Sequence, residues 1–248
     1  MSDTTLEQLI TLSRHLGEPA RDFVIIGEGN TSARVDDETF WIKASGAYLE
    51  NIDASGFVQV KHARVMQLLD ADATDDDVTR ALTEARTDAN AKRPSVETIL
   101  HAVLYALTDA QFIGHTHPPA AVSVLSSARA HDIVRQVMPD GIVVCGAHMI
   151  YVPYTDPGVP LAREVRDRVE KFITQHNEMP RTLWLQNHGV FALGNTPQQV
   201  EHITAMAVKH ARIVRDALAL GEPHWLSEHE IARIHTRPDE LLRRAKFK

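Results

Sequence analysis

Short strand-like runs and helical runs alternate along the whole of this chain, and that alternation constrains the fold more than any single motif. Residues 3 to 16 put Leu6, Leu9, Ile10 and Leu12 on one side of a helix, with Gly17 behind them as a stop. Two runs, 23-FVIIGEGNTSARV-35 and 39-TFWIKASGAYL-49, follow; each is broken by a Gly-containing polar stretch, the pattern of hairpins with working loops. The stretch 62 to 93 reads as more helical, and its Asp75, Asp76 and Asp77 as a solvated helix start. Residues 95 to 107 predict the clearest helix, because Val96, Ile99, Leu100, Val103, Leu104 and Leu107 fall at helical spacing behind Pro94 and Ser95. Beyond it the pattern predicts a strand over 111–117, a helix over 119–136, a strand over 142–146 and a helix over 160–176. Two strands around a polar tip follow within 182–194, then a long helix from Thr196-Pro197 to about residue 220. No Ser/Gly linker, repeat or low-complexity tract interrupts the series. The expectation is one α/β domain over 1–248, with a short helical tail from about residue 223.

Bulk composition narrows the function classes. The chain is 44% hydrophobic and 24% charged over 248 residues, the range of folded globular proteins. A net charge of -7 with scattered Lys and Arg gives no footprint for nucleic acid. No apolar run approaches the roughly 18 to 20 residues that span a bilayer, so no membrane role is expected. The single cysteine, Cys145, cannot form an internal disulfide, and MSDTTLEQLI lacks the regions of a signal peptide, which makes the cytoplasm the expected location.

The segment 114-GHTHPP-119 carries two histidines one residue apart. In a strand their side chains share a face, about 7 Å apart at the backbone, so His115 and His117 can converge on one ion or can simply be buried, hydrogen-bonded imidazoles. A third, His188 in 186-QNHGV-190, sits at a predicted strand tip beside a glycine that permits close approach. Three neutral imidazoles with an open position are the ligand set of a catalytic zinc or a related divalent ion. Glu97 lies in the predicted first turn of the clearest helix, where its plain function would be to offset the helix dipole, and His101 follows one turn later, either as a partner supporting the site from behind or merely as an i,i+4 neighbour. The loop 27-GEGNTS-32 lacks the spacing of a Walker or dinucleotide motif. It still offers backbone N–H groups with Asn30, Thr31 and Ser32 to an anion, as do 44-ASG-46 and Ser95, each of which is otherwise an ordinary turn or cap.

Taken in order, G-x-G-N-T-S, W-I-K-A-S-G, R-P-S-V-E-T, H-T-H-P, P-Y-T-D-P-G and Q-N-H-G-V resemble the class II aldolase/adducin family, over about residues 5 to 220. The resemblance implies a three-layer α/β/α sandwich around a mostly antiparallel sheet and a homo-oligomer, a tetramer first of all, with sites near subunit interfaces. It implies a divalent metal, zinc before manganese, cobalt or iron, on His115, His117 and His188, and an acid/base role for Glu97. Asn30, Ser45, Gly46 and Ser95 match positions that grip phosphate in sugar-phosphate aldolases, and Thr31 adjoins them. The implied reaction makes or breaks a C–C bond in a hydroxy-ketone, a sugar phosphate by expectation, through a metal-stabilised enediolate. Epimerases, a dehydratase and decarboxylases share the fold, and a non-catalytic adducin-like module is the alternative outside catalysis. Two departures stand out. Val96 replaces a serine of the fuculose-phosphate aldolase pattern, and the last tyrosine is Tyr154, which leaves Tyr151, Tyr154, His224, His229 or His235 as candidate proton donors.

Overall fold

The computed structural model describes residues 2–70 and 73–245, so residues 71 and 72 of the expected helical stretch 62–93, and the last three of the tail, lie outside the described residues. Seven strands occur among the described residues: β1 (Asn30–Arg34), β2 (Thr39–Lys43), β3 (Phe57–Lys61), β4 (Phe112–Thr116), β5 (Ile150–Val152), β6 (Thr182–Leu185) and β7 (Gly189–Gly194). They form one sheet in the order β3-β2-β1-β4-β7-β6-β5, antiparallel at every pair except β5 with β6. The mostly antiparallel sheet of the expected fold is therefore present.

The helices are α1 (Ser2–Leu16), α2 (His62–Met66), α3 (Asp75–Glu84), α4 (Thr98–Leu107), α5 (Pro119–Leu125), α6 (Ala130–Ile133), α7 (Pro139–Cys145), α8 (Val159–His176), α9 (Pro197–Leu220), α10 (Glu228–Thr236) and α11 (Pro238–Ala245). Period-two alternation along the strands builds a core on each face of the sheet. Along β7, Phe191 and Leu193 pack with Ile99, Leu100, Val103 and Leu104 of α4 and with Val165 and Val169 of α8. Val190 and Ala192 face the other way, toward Leu9, Leu12 and Leu16 of α1 and Val200 and Ile203 of α9. Helices thus cover both faces, giving the three-layer α/β/α sandwich.

Several local expectations are corrected. The apolar run 142–146 belongs to α7 instead of a strand: Pro139 opens the helix, Gly146 ends it at φ 96°, and Ile142 to Cys145 are buried all round. A short apolar run has no period by which to separate strand from buried helix. The helix expected over 119–136 breaks at Ser126-Ser127, where the Ser127 hydroxyl and carbonyl accept from the N–H groups of Arg129 and Ala130. Residues 23–29 form a loop before β1, exposing Ile25 and Ile26. Val96 is exposed instead of lying on the buried stripe, because the helix starts only at Thr98. The tail is helical as expected, and Ile231 of α10 packs on Ile142 and Ala147. No described helix is long and apolar enough to cross a membrane.

Candidate metal centre and active site

His115 is the fourth residue of β4 and His117 follows one residue past the strand end, held by its N–H on the Phe23 carbonyl at 2.9 Å. His188 ends the tight connection from β6 to β7, where Asn187 takes a left-handed φ of 54° and His188 N–H donates to the Leu185 carbonyl at 3.1 Å. Register does the rest. Phe191 pairs with His115 and Val190 with Thr116, which brings the tip of the hairpin alongside the end of β4. Gly189 is required there: a Cβ on it would lie 2.4 Å from the Thr116 carbonyl and 2.6 Å from the His117 ring.

The three imidazoles meet at their Nε2 atoms. His115 Nε2 lies 2.8 Å from that of His117 and 3.3 Å from that of His188. His115 Nδ1–H donates to the Val190 carbonyl at 3.1 Å and His117 Nδ1–H to the Glu28 carboxylate at 3.3 Å, so both Nε2 atoms can present a lone pair to a metal, and a proton takes that place when none is bound. Two facing lone pairs at such a distance repel unless a cation or a proton lies between them. Burial, reinforced by the charges of His115 and His188, pushes His117 down to about 3, the neutral form a metal ligand needs. The 3.3 Å between His115 and His188 is what a tetrahedral ion with bonds of about 2.0–2.1 Å requires, the 2.8 Å between His115 and His117 is shorter, and the ligand atoms of all three lie within 4.8 Å of one another. The donor set fits a divalent metal, and the anchored Nδ1–H groups are the outer contacts such ligands use.

Glu97 completes the cluster, with Oε1 3.0 Å from His188 Nε2 and 3.5 Å from His115 Nε2. It caps α4 from outside instead of occupying the first turn, its carbonyl accepting from Leu100 N–H and His101 N–H. Burial alone would raise its carboxyl, but the charges and hydrogen bonds of His115 and His188 outweigh this and hold it well below the usual range. It is therefore ionised.

The anion-loop residues fall into two groups. Backbone pairing of Ser45 N–H with the Arg93 carbonyl and of Ser95 N–H with the Lys43 carbonyl sets Ser45, Gly46 and Ser95 side by side at the approach to α4. Ser95 Oγ accepts from Glu97 N–H at 3.3 Å, and Gly46 takes a left-handed φ of 78° beside open space. Asn30 faces Glu97 and donates to its carboxylate. Thr31 is not brought to the site: alternation turns it to the other sheet face, where its hydroxyl meets Ser13 of α1 at 2.6 Å. Among the candidate proton donors, Tyr154 lines a small hollow with His188, while Tyr151 OH is bound to Gln186 Oε1 at 2.7 Å. His235 pairs with Glu178 at the opposite end of the sheet.

The sequence reading missed Lys43. Its ammonium is buried and donates to the carbonyls of Gly27 and Ala47, each at 2.7 Å, which ties the GEGN loop to the ASG turn. Burial pushes it down to about 8, with the Glu97 charge opposing. The available signal was a lysine that ends an alternating strand run directly before a glycine turn.

Comparison with known proteins agrees with this architecture. Over 198 residues the chain is 30% identical to a methylthioribulose-1-phosphate dehydratase of Microcystis aeruginosa, covering 74% of this chain and 84% of that one. It is 26% identical over 215 residues to an uncharacterized oxidoreductase of Bacillus subtilis, covering 83% of this chain but spanning only 29% of that relative's length. The fold superposes on an L-fuculose 1-phosphate aldolase with a TM-score of 0.71 at 19% identity, covering 95% and 96% of the two chains. The model of the class II aldolase and adducin N-terminal domain matches residues 7–214, and the chain belongs to that family.

Proposed function

We propose that this chain is a metal-dependent lyase acting next to the carbonyl of a small hydroxy-ketone, with a sugar phosphate as its substrate class. The observation that carries the reading is the convergence of three imidazole Nε2 atoms with the ionised Glu97 carboxylate 3.0 Å from one of them. His115, His117 and His188 hold the ion, zinc first among divalent metals with this donor preference. Such an ion, when bound, supplies Lewis acidity at a substrate carbonyl. Glu97 Oε1 takes the proton from the carbon beside the carbonyl in the bond-forming direction and returns it in the cleaving direction. Ser45, the Gly46 N–H and Ser95 receive the phosphate, and the Arg93 guanidinium, 3.4 Å from Ser45 Oγ, adds positive charge there. Thr31 has no part in this.

Residues 1–248 act as one domain in this reading, in the cytoplasm and as a homo-oligomer. Exposed Ile25, Ile26, Tyr48, Val96 and Tyr154 each adjoin a site segment, and a second copy of the chain, with a tetramer as the first expectation, would cover them.

Aldol cleavage is the first reading. Dehydration is the second, favoured by the similarity to the dehydratase, and it needs the same proton removal followed by loss of a neighbouring hydroxyl. The test is product analysis of metal-loaded wild type on a panel of ketose 1-phosphates. An aldehyde plus a three-carbon ketose phosphate establishes aldol cleavage. A diketo phosphate of unchanged carbon number establishes dehydration, and no turnover of any member removes the lyase reading.

A further inference from the structure

Behind Glu97 a hydrogen-bonded chain of side chains runs into the apolar core. Asn30 lies between the Glu97 carboxylate and His101 Nε2. His101 Nδ1 is 2.6 Å from Ser32 Oγ, which is 2.8 Å from Tyr105 OH. Ser32, His101 and Tyr105 are buried among Ile99, Leu100, Val103 and Leu104, and the His101 ring meets the edge of Phe191. Apolar side chains would pack such a space without needing partners, so a fully bonded polar chain there calls for a reason.

The donors run one way. A carboxylate only accepts, so Asn30 must turn its Nδ2 amide to Glu97 and its Oδ1 to His101. That carbonyl accepts from His101 Nε2–H, which leaves Nδ1 of the neutral ring as an acceptor for the Ser32 hydroxyl. Ser32 Oγ then accepts from Tyr105 O–H. Tyr105 is anchored in turn, with the Arg34 guanidinium 4.9 Å above its ring and Arg34 Nη2–H donating to its carbonyl at 2.7 Å.

We infer that His101 is a positioning residue for Glu97, acting through Asn30, whose amide nitrogen and oxygen are engaged by the carboxylate and the imidazole respectively. The inference rests on the role proposed above for Glu97. One β-strand and one helix meet in this chain: Asn30 and Ser32 project from the same face of β1, and His101 and Tyr105 are one turn apart on α4. The carboxylate is thereby aimed from the sheet as well as from its own helix.

The test has two arms. The first is 15N NMR of the histidine-labelled full chain, metal-free and zinc-loaded, with the His101 signals identified by their loss in His101→Phe. The expected spectrum shows His101 neutral at pH 7 with its proton on Nε2 in both states; a proton on Nδ1, or a cationic ring, overturns the inference. The second arm follows whichever reaction the wild type performs. His101→Phe is expected to lower kcat by about 10- to 100-fold with KM and bound metal unchanged. His101→Gln, which restores a donor at the Nε2 position, is expected to recover most of that loss, and His101→Phe is expected to add nothing further on a Glu97→Gln background. Wild-type kcat in His101→Phe, no recovery in His101→Gln, or additive losses overturn the inference. A wild type without activity removes the functional reading alone, and the tautomer still decides this one.

Discussion

The two ends of β4 and β7 offer a direct comparison. At the end where β4 finishes, three imidazoles and a carboxylate crowd together. At the other end a cavity of about 360 Å³ opens between the start of β6, the turn after β7 and the tail helices, lined by Arg181, Arg244, Glu178 and His235. Size would favour the second as a binding site. Most of its charged groups already have fixed partners, however: His235 with Glu178 at 2.6 Å, Arg244 Nη2 on the His235 carbonyl at 3.0 Å with its Nε left over, and Arg181 on the carbonyls of Val143 and Val144. At the histidine end, three Nε2 atoms and a carboxylate converge on one point instead. Reactive capacity follows groups whose ligand atoms converge on one point, and the larger hollow mainly joins the tail to the body.

The contrast can be tested by substitution. His188→Ala should have the largest effect, with elemental analysis after dialysis falling from about one divalent ion per chain to none and turnover lost with it. Retained metal would show that the imidazoles do not act as a set. Glu97→Gln should keep the ion and lower kcat by about 10²- to 10⁴-fold, read from metal content and steady-state rates side by side. Gly189→Ala should weaken metal binding and cost about 1–3 kcal/mol in denaturant unfolding, since its methyl meets the Thr116 backbone. His235→Ala at the far end should leave metal content and kcat unchanged and shift stability by about 1 kcal/mol or less. A loss of metal in that variant would couple the two ends and break the comparison.

How much of this was legible depended on the kind of signal. The helices α4, α8 and α9 and the hairpin around His188 could be read from periodicity and turn residues. The three histidines and Glu97 came from ordered motifs, which compensate for the weakness of each element taken singly. The identity of α7 was not legible, because Ile142 to Cys145 are buried on all sides and carry no period. The role of Thr31 was misjudged because adjacency in sequence is opposition across a sheet, a fact that needs the strand bounds. For His101 the helical spacing left open whether it supports the site or merely neighbours Glu97. Its link to Asn30, Ser32 and Tyr105 depends on how β1 lies against α4, which no local pattern encodes.

The pairing of His115 with Phe191 has a consequence for assembly of the chain. A slip of one residue between β4 and β7 would turn Phe191 and Leu193 out of their core and displace the hairpin tip from His115 and His117. In the site proposed above, an ion would then find two of its three ligands. Metal affinity is therefore a gauge of strand alignment, and a refolding mixture passed over an immobilised divalent ion would be sorted by whether its central strands had found their proper partners.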